Sequence, residues 1–156
     1  MRLNIRQVRK YEIEELADMW YDLARMHEEI MDGYELAYNP RERYKDFIKE
    51  GIEKEGMVTF VADKDDELVG FVNTVLRKRP PFFAKRDVGL ILDLFVKNDE
   101  RGKGIGSTLV EAAEMWIKNR GVKLAVLTVS PANLVALNFW NNKGYDTYLE
   151  KKRKEL

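Results

Sequence analysis

Arg101-Gly102-Lys103-Gly104-Ile105-Gly106-Ser107 is the stretch whose residue types and spacing point most directly to chemistry. Glycines at alternate positions leave main-chain N–H groups uncovered and permit dihedrals that other residues resist. Arg101 and Lys103 add positive charge. A helix starting here would aim its unpaired N–H groups and the positive end of its dipole at the same spot. Such a nest suits a phosphate or pyrophosphate. A Walker loop needs Gly-x-x-x-x-Gly-Lys-Ser/Thr, which the chain lacks. The dinucleotide fingerprint Gly-x-Gly-x-x-Gly fails as well, because counting from Gly104 puts Leu109 where the third glycine belongs. The remaining pattern, Arg/Gln-x-x-Gly-x-Gly/Ala, is met by Arg101, Gly104 and Gly106.

Asp93 is the candidate for acid–base chemistry. It interrupts the otherwise apolar run 88–96. A carboxylate in that setting has a raised pKa and lies where a general base is useful. The competing reading is a hydrogen-bonding residue at a strand end. His27 is the only histidine, and cysteines are absent. Disulfides, thiolate nucleophiles and Cys-based zinc sites are therefore out, and a His-cluster metal site or a Ser-His-Asp triad would rest on one residue. No metal is expected.

The elements that must position these residues follow from periodicity. Residues 3–8 alternate apolar and polar side chains and predict a strand. Ile13, Leu16, Ala17, Trp20 and Leu23 recur at helical spacing, and Gly33 follows as a stop. Asn39-Pro40 starts a second helix with Tyr44, Phe47, Ile48 and Ile52 on one face. Runs 57–62 and 68–76 flank Lys64-Asp65-Asp66-Glu67 and predict a hairpin. A loop through Pro80-Pro81 leads to the strand 88–96, then a helix 104–119 capped by Gly121. A buried strand 123–129, a short helix 133–142 and a last strand 145–151 complete the order β-α-α-β-β-β-α-β-α-β. A hairpin set among crossovers predicts an α/β chain with one mixed sheet and helices packed on it.

Composition narrows the partners. The 156 residues fit one domain, 1–156, with a sizeable core. Lys plus Arg and Asp plus Glu both number 27, so no net field gathers nucleic acid or an anionic membrane. No apolar run approaches the ~18 residues of a spanning helix. The N-terminus shows no signal-peptide pattern, so a cytoplasmic location is expected.

The stretch Val96-Lys97-Asn98-Asp99-Glu100-Arg101-Gly102-Lys103-Gly104-Ile105-Gly106 resembles motif A of the GNAT family of N-acetyltransferases. A second block, Asn133-Leu134-Val135-Ala136-Leu137-Asn138-Phe139-Trp140-Asn141-Asn142-Lys143-Gly144-Tyr145, is similar to the family's Asn-x-x-Ala-x-x-Phe-Tyr-x-x-x-Gly-Phe segment. The blocks stand in the family's order and separation. The resemblance implies the GNAT fold: a mixed, mostly antiparallel sheet flanked by about four helices. It implies acetyl-CoA as co-substrate, its pyrophosphate held by Arg101, Gly102, Lys103, Gly104, Ile105, Gly106 and Ser107. Pantetheine would lie where strand 88–96 splays from 123–129, against backbone groups of Leu94, Phe95 and Val96. One main-chain N–H there would face the thioester oxygen. Asn133 would bond the cofactor by resemblance, whereas its position alone makes it a helix N-cap.

The chain also departs from the family. Trp140 stands where many members carry a proton-donating tyrosine, and Thr128 where some carry a glutamate base. An indole N–H donates a hydrogen bond but is no ordinary acid. The implied acceptor is a small-molecule amine or a peptide, shaped by residues 28–38 and loop 77–86; the implied assembly is a homodimer. The competing expectation is a non-catalytic acyl-CoA-binding or sensor module.

Overall fold

In the computed structural model, residues 2–84 and 87–156 are described; Lys85 and Arg86 of the expected gating loop lie outside them, as does Met1. Five strands form one sheet in the order β1-β2-β3-β4-β5, comprising Leu3–Gln7, Met57–Lys64, Glu67–Lys78, Asp87–Val96 and Ala125–Val126. The first four run antiparallel, and β5 joins β4 in parallel. Four α-helices pack on the sheet: α1 (Ile13–Ile30), α2 (Pro40–Ile52), α3 (Ile105–Asn119) and α4 (Leu134–Asn142). The mixed α/β architecture follows the expectation.

The sheet divides the core. On one face, Leu16 and Leu23 of α1 with Tyr44 and Ile48 of α2 cover Val61, Phe71 and Phe95. On the other, Ile105, Leu109, Val110 and Ala113 of α3 with Trp140 of α4 cover Ala62, Val72 and Ile91. Strand side chains alternate between faces with period two, so β3 feeds both cores from one run of buried residues. That run explains why 68–76 carries no clean alternation of polarity. It reads as a strand buried on both sides.

One irregularity in β4 matters for the site. Asn73 pairs with Asp93, but Thr74 pairs with Ile91, so Leu92 is an extra residue, a β-bulge. The bulge changes the parity of the strand. Ile91 joins the α3 core, as do Leu94 and Val96, while Asp93 and Phe95 face α1 and α2. Without it, Ile91 and Asp93 would share one face.

Two expected strands differ. The strand expected over 123–129 is reduced to Ala125–Val126, paired only with Gly89 and Leu90. The strand expected over 145–151 does not form. A strand needs an edge to pair with, and a two-residue β5 offers little. Lys151, Lys152, Arg153 and Lys154 further favour a solvated segment. This tail still touches the body: Tyr148 Oη accepts from Arg79 at 3.5 Å, and Arg153 donates to the Asp32 carbonyl.

Candidate active site

The glycine loop lies between β4 and α3, as its spacing predicts. Gly102 and Gly104 have φ of +77° and +83°, left-handed conformations that favour glycine. A Cβ at either position would meet nothing within 4 Å, so conformation and not space requires glycine there. Gly104 is the N-cap of α3, and no side chain caps the helix. The first intrahelical bond runs from Thr108 N to Gly104 O, which leaves the N–H groups of Ile105, Gly106 and Ser107 without a helical partner. The exposed end of a fifteen-residue helix is thus a set of convergent donors at the positive pole of a dipole. These features fit a pyrophosphate.

The flanking charges are held in specific ways. Arg101 Nε donates to the Val96 carbonyl at 2.9 Å, and its guanidinium lies 5.9 Å from the Phe95 ring centroid. Glu100 accepts from Lys64 at 2.7 Å and from Lys103 at 3.3 Å. The Lys64 bond is the main reason the Glu100 carboxyl lies below the usual range. It ties the short 3-10 turn before the loop to β2 across a partly buried ion pair.

Beside this loop the sheet opens. Lys97 N bonds Val69 O, and Phe95 pairs with Phe71. In an antiparallel ladder only alternate residues turn their N–H and C=O toward the neighbouring strand. Leu94 and Val96 therefore turn their main-chain groups away from β3, toward the side where β5 lies. There the β4–β5 ladder has already stopped at Leu90–Val126. A main-chain edge is left open there at Leu94 and at the Val96 N–H, the Val96 carbonyl being taken by Arg101 Nε, with the α3 N-terminus at its end. On the α1 side a cleft of about 600 Å³ is lined by Tyr21, Arg25, Met26, Phe95, Lys97 and Arg101, among others.

Asp93 lies one alternate step up the same face from Phe95. Its carboxylate accepts a 2.9 Å hydrogen bond from Asn73 Nδ2. Burial pushes its carboxyl above the ordinary value, opposed by that bond and by the charge of His27. His27, half-buried on α1, is pushed down by burial, with Asp93 working the other way. Asp93 and His27 thus act on each other through charge, a coupling that spacing in the sequence does not reveal.

Three further residues were missed: Asn73, Thr59 and Tyr44. Asn73 also donates to Tyr44 Oη at 2.7 Å, and Thr59 donates to Asn73 Oδ1 at 2.5 Å. The available signal was the pair Asn73-Thr74 inside an otherwise apolar run, a polarity that burial must satisfy. Tyr44 is pushed far above its ordinary value, first by burial, and stacks on Trp20 at 4.3 Å.

The remaining candidates fall elsewhere. Asn133 is the N-cap of α4, its side chain accepting from Ala136 N at 3.1 Å. Trp140 packs edge-on against Phe139 and Tyr145, both at 5.1 Å, within the α3 core. The Tyr145 hydroxyl donates to Glu114 at 2.8 Å, and burial pushes it up, so it is a weak acid engaged elsewhere. Among the described residues no group of His, Cys, Asp and Glu could hold a metal, and no helix is long and apolar enough to cross a membrane.

A mixed sheet that opens between its fourth and fifth strands, beside an uncapped glycine-rich helix start, is the frame of an acyl-CoA-dependent transferase. Residues 20–145 match the acetyltransferase (GNAT) family model, and the chain belongs to that family. An uncharacterized N-acetyltransferase of Archaeoglobus fulgidus is 33% identical over 120 residues, covering 76% of this chain and 81% of that protein. Among solved structures, an aminoglycoside N-acetyltransferase in complex with CoA aligns over 99% of this chain and 96% of its own, with a TM-score of 0.79 at 19% identity. A predicted acetyltransferase from Clostridium acetobutylicum, solved with acetyl-CoA, aligns over 99% and 96% with a TM-score of 0.83 at 14% identity. At these identities the structural likeness establishes the fold.

Proposed function

We propose that this chain, as one domain over 1–156, transfers an acetyl group from acetyl-CoA to a primary amine by direct attack in a ternary complex. The single observation that carries the reading is the juxtaposition on β4 of a half-buried carboxylate, Asp93, with the open main-chain edge at Leu94 and the Val96 N–H. Acetyl-CoA supplies the thioester, an acyl group activated toward amines. The loop 101–107 holds its pyrophosphate, and the edge of β4 aligns its pantetheine arm. A main-chain N–H at that edge faces the thioester oxygen and stabilises the charge that develops there. Asp93 removes the ammonium proton of the acceptor, a role its raised basicity suits. Fixing amine and thioester together supplies much of the acceleration, since effective molarity is worth on the order of 7–11 kcal/mol.

The acceptor approaches from the side of α1, α2 and their connection. Asp32 and Glu35 with exposed Tyr34 and Tyr38 offer charge and ring faces to a cationic amine, whether small molecule, polyamine or peptide, while Glu28 braces this stretch through the Leu36 N–H and Arg25. Action of a neighbouring fold on aminoglycosides supports an amine acceptor without selecting among these. A cytoplasmic homodimer completes the proposal.

One observation favours a second reading. Trp140 is locked in the core and Tyr145 is engaged by Glu114, so neither supplies the proton that the departing thiolate needs. A domain that binds acyl-CoA as a sensor would tolerate this. Labelled acetyl-CoA offered with a panel of amines, polyamines and peptides separates the two. Transfer to any acceptor supports the enzyme. Tight CoA binding with no transfer to any of them supports the sensor.

A further inference from the structure

Thr59, Asn73 and Asp93 occupy neighbouring register positions on three adjacent strands, and all turn to the face covered by α1 and α2. Such a row has a direction. Thr59 donates its hydroxyl proton to Asn73 Oδ1, which orients the amide so that Nδ2 faces the other way. The two hydrogens of Nδ2 then go to Asp93 Oδ2 and Tyr44 Oη. The reverse orientation would set Oδ1 against the carboxylate, two acceptors with no proton between them. Asn73 is fully buried, so water cannot substitute for any of these partners.

We propose that Asn73, oriented by Thr59, is a positioning residue for acetyl transfer: it holds one oxygen of Asp93 and leaves the other aimed at the acceptor amine. The inference rests on the reading of Asp93 as the base and adds what fixes its direction and protonation. The bulge at Leu92 contributes, because it brings Asp93 rather than Leu92 opposite Asn73. Tyr44 completes the support from α2, its ring stacked on Trp20 and its oxygen accepting from the same amide. The groups that face Asp93 are therefore Asn73 from β3, His27 from α1 and, through Asn73, Tyr44 from α2. Of these, Asn73 alone donates a hydrogen bond to the carboxylate. That one N–H bond suits the ionised form, which burial alone would disfavour.

Asn73→Leu and Thr59→Val test this against wild type and Asp93→Asn. One readout is the pH profile of kcat/KM with acetyl-CoA and the panel amine that wild type acetylates fastest. The other is a carbon-13 NMR titration of the Asp93 carboxyl in the full chain. Asn73→Leu is expected to move the acidic limb and the carboxyl titration upward together by about one unit, a tenfold change in proton affinity. kcat falls with it, and KM for acetyl-CoA stays within about twofold, because the cofactor contacts are untouched. Thr59→Val, which exchanges a hydroxyl for a methyl, shifts both readouts the same way by less. An unchanged carboxyl titration and acidic limb in both variants would overturn the inference, whatever happens to stability. If Asn73→Leu does not fold, Thr59→Val decides; if no amine is turned over, the carboxyl titration decides. Asp93→Asn retaining wild-type turnover and pH profile would instead overturn Asp93 as the base. The two failures are thus distinguishable.

Discussion

The glycine loop and the polar row flank the same end of β4, and they are built in opposite ways. The loop is one contiguous stretch, 101–107, whose donors are main-chain groups presented by left-handed glycines and a helix start. The row is assembled from three strands and a helix that lie far apart in sequence, and its donors are side chains buried in the sheet. A phosphate site can be made of backbone because a helix terminus brings its own charge and donors. A base needs a side chain, and a buried side chain needs partners from other elements to hold its proton state. Donor binding is therefore expected to fail when backbone conformation is changed, and turnover when a polar partner is removed.

Gly104→Glu gives the largest effect. It forces a side chain into a left-handed position, at about 1–2 kcal/mol, and sets a carboxylate near phosphate, where like charges at an effective dielectric of ~20 cost about 4 kcal/mol at close range. CoA affinity, measured by calorimetry on the folded variant, should fall on the order of a thousandfold. Unchanged affinity would sever the loop from the donor. Asp93→Asn is next. Its kcat should fall about a hundredfold, the low end of general-base contributions, with CoA affinity unchanged. A loss of CoA binding in this variant would mean that the two regions are one.

Lys64→Met sharpens the comparison from the loop side. It removes the partner that neutralises Glu100 and ties the loop to β2, so CoA affinity should weaken by roughly threefold to tenfold. The smallest expected effect is on stability. Burial raises the Asp93 carboxyl above its unfolded value, so the native state holds that proton more tightly than the unfolded chain does. Its ionisation costs stability as pH rises through the unfolded and then the folded value, and the cost is absent in acid. Asp93→Asn should therefore raise the melting temperature at neutral pH by about 2–4 °C and leave it unchanged near pH 3.

The same contrast explains what could be read from the chain beforehand. The loop, α3 and the cap at Asn133 declare themselves within a few residues, because turns and helix starts are local. The hairpin of β2 and β3 was legible for the same reason, two apolar runs around a polar turn. Asp93 stood out as a charge in an apolar strand, but Asn73 gave only a faint signal and Thr59 and Tyr44 none, since their meaning arises from register across strands. The strand expected at 145–151 failed for a related reason. Pairing depends on a partner edge, and β5 is too short to provide one. Trp140 was legible as a departure from the family pattern, and its place against Phe139 and Tyr145 shows why it fits: the slot is filled by rings.

Leu92, the extra residue of β4, has a consequence for how such a chain can change over generations. On a regular strand the residues on either side of one position share a face, so Ile91 and Asp93 would pack against the same helices. The offset at Leu92 lets Ile91 and Leu94 answer to α3 while Asp93 and Phe95 answer to α1 and α2. The two halves can then be inherited and revised independently. Removing Leu92 would leave Asp93 opposite Asn73 and Ile91 opposite Thr74, whereas straightening the strand with Leu92 in place would set Leu92 opposite Asn73 and turn Asp93 to the α3 side.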